Sequence, residues 1–193
     1  MILHIEDDAG QSRSGRYAGD ALRGYVLTAL FAATAAAGGY LLMSVPNVEL
    51  FTLMLFAAGY ALNLGRGMLA ATVAGLIYFG LNPQGGLFPP LLASQIIGAL
   101  AAPLAGSLWR GRKIAGIMSG LFMGVSAILV TFWYDLVTNL AYPLTVGFDI
   151  HQLTITLLAG IPFAAIHIGS NALAFILLGR PLFSLIDRHH LAA

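Results

Sequence analysis

The sequence predicts an all-α, polytopic membrane protein of six transmembrane helices, with the N- and C-termini both cytoplasmic. Three observations predict it. Apolar residues make up 59% of the 193-residue chain and charged residues only 9%, and the mean hydropathy is +0.85. That is the composition of a bilayer protein and not of a soluble domain with a large core. Apolar runs approaching the ~20 residues needed to cross ~30 Å of hydrocarbon recur along the chain. Finally, the nine basic residues (Arg13, Arg16, Arg23, Arg66, Arg110, Arg112, Lys113, Arg180 and Arg188) all fall in segments that six spans would place on one side. The positive-inside rule makes that side cytoplasmic.

The remaining bounds are brief. A formal net charge of +1, carried in loops, gives no sign of a nucleic-acid partner. The absence of cysteine excludes disulfides and thiolate metal sites. The opening residues are polar and mixed in sign, with no apolar h-region, so the first span is expected to direct insertion.

Residues 1–21, with Glu6, Asp7 and Asp8, read as a polar cytoplasmic tail, and residues 22–180 as the membrane domain. The first helix is expected from Leu22 to Met43. It carries two small-residue ladders, Thr28-Ala32-Ala36 and Ala29-Ala33-Ala37. Small side chains at that spacing let another helix approach closely, which is how membrane helices pack without a hydrophobic drive between them. Two ladders exceed the need of one internal contact, so one of them, Ala29-Ala33-Ala37, is expected to dock a partner.

The second helix is expected to open at Pro46, a favoured first-turn residue, which would put Asn47 and Glu49 at the mouth of a helix N-terminus. The third, Met68–Leu81, spans only about fourteen residues, short of a full crossing. The loop Asn82-Pro83-Gln84-Gly85-Gly86 is therefore expected to dip below the interface, where irregular backbone is tolerated only inside protein or against a water-filled cavity. The fourth helix, Pro89–Trp109, brings Ser94 and Gln95, and a ladder of Gly98, Ala102 and Gly106. The fifth runs from Ile114 to a break at Pro143. The sixth, Leu153–Leu178 with a kink at Pro162, brings His167, Ser170 and Asn171. Residues 181–193 form a second polar tail, whose His189-His190 pair reads as solvated and not as a metal site.

The chemistry concentrates in Phe132-Trp133-Tyr134-Asp135-Leu136-Val137-Thr138-Asn139. On a helix Asp135, Thr138 and Asn139 share one face, with Trp133 and Tyr134 beside it. A carboxylate in an apolar span is costly and ordinarily faces a cavity or a partner. The plain alternative is an interfacial aromatic belt with a solvated acid. With the predicted topology, Asn47, Glu49, Asn82, Gln84, Gln95, Asp135, Asn139, Asp149 and His151 gather toward the outer half. That pattern suits capture of a solute from outside. The chain has no phosphate-binding loop with its lysine, so it does not hydrolyse nucleotide itself, and no inverted repeat with paired broken helices marks it as a self-contained transporter.

Pro46-Asn47-Val48-Glu49-Leu50, Asn82-Pro83-x-Gly85, Asp135-x-x-Thr138-Asn139 and the alanine ladders together resemble the substrate-binding S components of energy-coupling factor (ECF) vitamin transporters, over about residues 22–180. The resemblance implies a vitamin-binding subunit that docks through its first helix on a transmembrane T component powered by two cytoplasmic ATPases. It implies no resident cofactor, no metal and no enzymatic activity of its own. The substrate-binding residues expected on this reading are Asn47, Glu49, Asn82, Gln95, Trp133, Asp135, Asn139, His167 and Asn171, with Ala29, Ala33 and Ala37 for docking. A rhomboid-like intramembrane serine protease is the alternative from another class, since Gly124-Val125-Ser126-Ala127 imitates a nucleophile motif and His167 is available. The glycine after the serine is missing, however, and a helical serine more often bonds back to its own backbone. A structural subunit without a ligand is the third reading.

Overall fold

The computed structural model describes residues 5–83, 88–112, 117–147 and 149–189; for 5–17 and 117 it gives the backbone course alone. Gln84, Gly85 and Gly86 of the expected dipping loop, Lys113 and His190 lie outside the described residues. The described residues are helical, with no strand: α1 (Ile5–Leu41), α2 (Phe51–Ala61), α3 (Leu64–Gly80), α4 (Pro89–Ala99), α5 (Ala101–Trp109), α6 (Ile117–Val146), α7 (Ile150–Ala174), a π-helical turn (Phe175–Gly179) and α8 (Arg180–Arg188). Because α4 and α5 are nearly continuous, and α7 runs through the π turn into α8, these elements form six rods. Four of them are long and apolar enough to cross a membrane: Ala18–Leu41, Pro89–Trp109, Met118–Val146 and Ile150–Arg188.

The other two rods are shorter. With 11 residues, α2 is about 16 Å long at ~1.5 Å per residue, roughly half the hydrocarbon thickness. It is also buried on nearly every side. Its neighbours are α1, α3 and α5, and Phe56 at its centre packs on Phe175 and Phe183, with ring centroids 5.1 and 5.8 Å away. The rod α4–α5 passes close beside it. A Cβ on Gly59 would fall on the carbonyl of Pro103, and one on Gly106 would fall on the carbonyl of Phe56. Here glycine is required because backbone meets backbone, the arrangement small residues permit between membrane helices.

Cross-links fix the direction of each rod. Arg66 at the start of α3 lies over Gly24 and Tyr25 of α1, and Tyr40 at the far end of α1 donates to the carbonyl of Ile77 at 2.8 Å. The two therefore run parallel, with α2 returning between them. Tyr60 at the end of α2 donates to Asp187 of α8 at 2.9 Å, and Arg110 donates to the carbonyl of Leu62 at 3.0 Å. Thus Arg66, Arg110 and Arg180 share one end, and the loop 42–50 lies toward the other.

Several expected boundaries differ. The first helix starts at Ile5 and the last rod ends at Arg188, so helix continues through the expected tail boundaries at residues 21 and 180. The second helix opens at Phe51 and not at Pro46: Asn47 takes a positive φ of 58°, which no helix accepts, and residues 42–50 form a compact loop. The third helix starts earlier, because the Asn63 side chain accepts from the Arg66 amide at 2.9 Å and caps it. Pro143 does not break α6; it sits buried inside the last turn before Val146. A proline removes one backbone bond and crowds the carbonyl four residues back, yet the helix runs three residues past it. Pro162 likewise lies inside a continuous α7.

The two ladders of α1 separate cleanly. Thr28, Ala32 and Ala36 are buried against the rest of the chain, whereas Ala29, Ala33 and Ala37 are exposed.

Candidate functional site

The short α2 decides where the polar groups meet. Because α2 starts deep, the chain descending from α1 must fill the space above it as a loop, and that loop carries Glu49 into the interior. Glu49 is 8% exposed. Its Oε2 accepts from the Thr52 amide at 2.8 Å, satisfying a free donor of the first turn of α2. Its Oε1 accepts from Asn171 Nδ2 at 3.0 Å, and the same nitrogen donates to Thr131 Oγ1 at 3.1 Å. Loop, α6 and α7 are thereby joined through one buried amide.

His167 lies one turn before Asn171 on α7 and stands between two carboxylates. Its Nδ1 is 2.8 Å from Asp135 Oδ1, and its Nε2 is 3.5 Å from Glu49 Oε1. Each ring nitrogen thus faces a carboxylate oxygen, to which a protonated ring nitrogen can donate. Asp135 is held to the ring by a hydrogen bond, and Glu49 stands at ion-pair distance on its other side. Removing the middle group would leave the outer two uncompensated. The ring edge of His167 meets Tyr134, with centroids 5.6 Å apart. The loop is tied down from above, where Ser170 Oγ donates to the carbonyl of Asn47 at 2.9 Å.

Two cavities open on either side of this cluster. One, of about 160 Å³, lies under the loop and is lined by Asn47, Glu49, Tyr78, Phe79, Asn82 and Gln95, among others. The second, of about 350 Å³, lies between α4, α6 and α7, lined by Gln95, Asp135, Thr138, Asn139, Phe163 and neighbours. Asn47, Gln95, Tyr134 and His167 line both. Gly160 makes room for Asn139, whose Oδ1 would stand 3.0 Å from a Cβ at that position, and Asn139 Nδ2 donates to the carbonyl of Asp135 at 2.7 Å.

Of the residues expected from sequence, Asn47, Glu49, Asn82, Gln95, Asp135, Asn139 and His167 line one cavity or both. Asn171 lines neither; it is fully buried and holds Glu49. Trp133 lines neither cavity and is 45% exposed on α6. The ring on the wall is Tyr134, stacked on Phe79 with centroids 6.0 Å apart. Trp133 and Tyr134 lie about 100° apart on the helix, and the sequence pattern does not say which of the two turns toward Asp135. Met43, Val45, Tyr78 and Thr131 were not marked by sequence; for the two loop residues, the length of α2, which brings the loop inward, is the signal that would have found them. Asp149 and His151 are exposed, and Asp149 caps α7 by accepting from the His151 amide at 2.9 Å.

Ser126 is engaged elsewhere. Its hydroxyl donates to the carbonyl of Phe122 at 2.9 Å and accepts from Trp109 Nε1 at 3.1 Å, while both nitrogens of His167 face carboxylates. This geometry offers no serine–histidine pair. Nor do Glu49, His167 and Asp135 converge on one metal position, since the carboxylates address opposite ring nitrogens; among the described residues no group of three such side chains could hold a metal ion.

Comparison with known proteins returned no match, whether to a protein-family model, a curated protein or a solved structure.

Proposed function

We propose that this chain is the substrate-capture subunit of an ECF-type importer in the cell membrane. It would bind a vitamin or related micronutrient in the cavities around His167, and pass it on after docking on a T component driven by two ATPases. The observation that carries this reading is the Glu49–His167–Asp135 cluster, which keeps charged groups deep in an apolar bundle beside space for a small molecule. Ionisable groups in such a position are expensive and are kept for a ligand or pathway. A cavity of about 350 Å³ is within the ~300–1,000 Å³ usual for small-molecule sites. The loop that roofs the smaller cavity faces away from the basic end. With the basic end on the cytoplasmic side under the positive-inside rule, ligand would enter from outside. The exposed Ala29-Ala33-Ala37 face supports a helix partner at α1, and the resemblance of the four motifs supplies the identity of that partner.

The test is purification of the tagged chain from its native membrane in mild detergent. A bound small molecule, together with a membrane partner and two ATPases, is expected. Ala33→Trp should release the partners and stop uptake while the small molecule stays bound. Loss of both at once would place the ladder in internal packing, and isolation of the wild type with neither would sink the proposal.

A further inference from the structure

The cavity walls are short of one positive charge. Glu49 and Asp135 contribute two carboxylates, both at hydrogen-bonding or ion-pairing distance from the single imidazole of His167. Even a fully protonated His167 balances only one of them. None of the described residues lining either cavity is lysine or arginine; Arg66, Arg110, Arg112 and Arg180 lie at the opposite end of the bundle. The acceptors are also in excess. Asp135 Oδ2 is buried with no hydrogen-bond partner among the described residues, although buried polar atoms are nearly always paired. Asp135 itself lines the larger cavity. The aromatic residues Phe51, Tyr78, Phe79 and Tyr134 complete the smaller one, and such faces attract a cation.

Building on the capture reading, we infer that the ligand is a cationic nitrogen compound with N–H donors, an amine or amidine on a compact ring, whose charge pairs with Asp135 and whose ring lies against Tyr134. A carboxylate or phosphate ester would meet two like charges and no counter-ion. Like charges placed together in a desolvated site disfavour such a partner strongly.

The test uses four probes of nearly one shape and different charge: benzamidinium, benzylammonium, benzyl alcohol and benzoate. They are titrated calorimetrically at pH 7 into the purified full chain in detergent. The two cations should bind at least tenfold more tightly than benzyl alcohol, and benzoate should not bind. Asp135→Asn should weaken benzamidinium about tenfold to a hundredfold, the size of one charged hydrogen bond, and leave benzyl alcohol within about twofold. Should that variant not fold, the wild-type series decides alone. Equal affinities across the series, a preference for benzoate, or a cation preference untouched in folded Asp135→Asn overturns the inference. A carboxylate or phosphate ester found stoichiometrically on the protein from native membranes overturns it as well, yet leaves capture standing. A wild-type protein that carries no small molecule and binds no probe removes both.

Discussion

The two ends of α2 solve opposite problems. At its C-terminal half, Gly59 and Gly106 bring α2 and α5 into backbone contact, and Phe56 packs on Phe175 and Phe183. At its N-terminal end, Glu49 holds the first turn, and cavities flank a histidine bracketed by carboxylates. Both ends are buried, so burial does not separate them. What separates them is whether the buried groups are satisfied by neighbours. Space does not separate them either, since a cavity of about 590 Å³ opens at the first end beside Tyr60, Phe183 and Arg110; only the second leaves buried acceptors unpaired, at a cost a purely structural bundle would avoid.

The largest expected effect comes from removing the centre of the polar region. His167→Leu leaves Glu49 and Asp135 buried without a counter-charge and should destabilise the fold by about 3–5 kcal/mol. Thermal unfolding in detergent measures this, and adding Asp135→Asn should restore part of the loss. If His167→Leu unfolds at the wild-type temperature, the cluster is not held as described. Gly106→Val should come next. Its side chain cannot avoid the Phe56 carbonyl, so overpacking of about 1–3 kcal/mol is expected, toward the upper figure because the obstacle is backbone. Gly120→Ala is its control, because the nearest atom to an added Cβ is Ile176 Cγ2 at 4.0 Å, and stability should not fall and should rise by up to about 1 kcal/mol from helix propensity. The smallest effect should be that of Trp133→Ala, within about 0.5 kcal/mol in stability, as at exposed positions generally, and with no change in ligand affinity. A loss of affinity there would mean that α6 is rotated from the position that puts Tyr134 on the wall.

The helical character was legible because composition and apolar run length are strong signals. The Asp135-Thr138-Asn139 face was legible because i, i+3 and i+4 positions share a side of any helix. Glu49 was found for a partly mistaken reason: Pro46 suggested a helix start, but the helix begins at Phe51, and it is the descending loop that carries Glu49 inward. The reading of Pro143 as a helix end failed because α6 runs three residues past it to Val146, and run length alone does not locate that end. The pairing of His167 with two carboxylates, 32 residues away in one case and more than a hundred in the other, depends on how α6, α7 and the loop pack. No local pattern encodes that, and the choice between Trp133 and Tyr134 was open for the same reason.

The most direct test of the account is native mass spectrometry of the wild type beside Gly160→Leu, each purified in the same detergent. Gly160 lines the larger cavity and faces Asn139, so a leucine there pushes into the space assigned to the ligand while the dry α2–α5 contact is untouched. The wild type should carry one small molecule per chain, and Gly160→Leu should elute at the same volume without it. An adduct of the same mass on both proteins, or on neither, would contradict the claim that this cavity is where the protein holds its ligand.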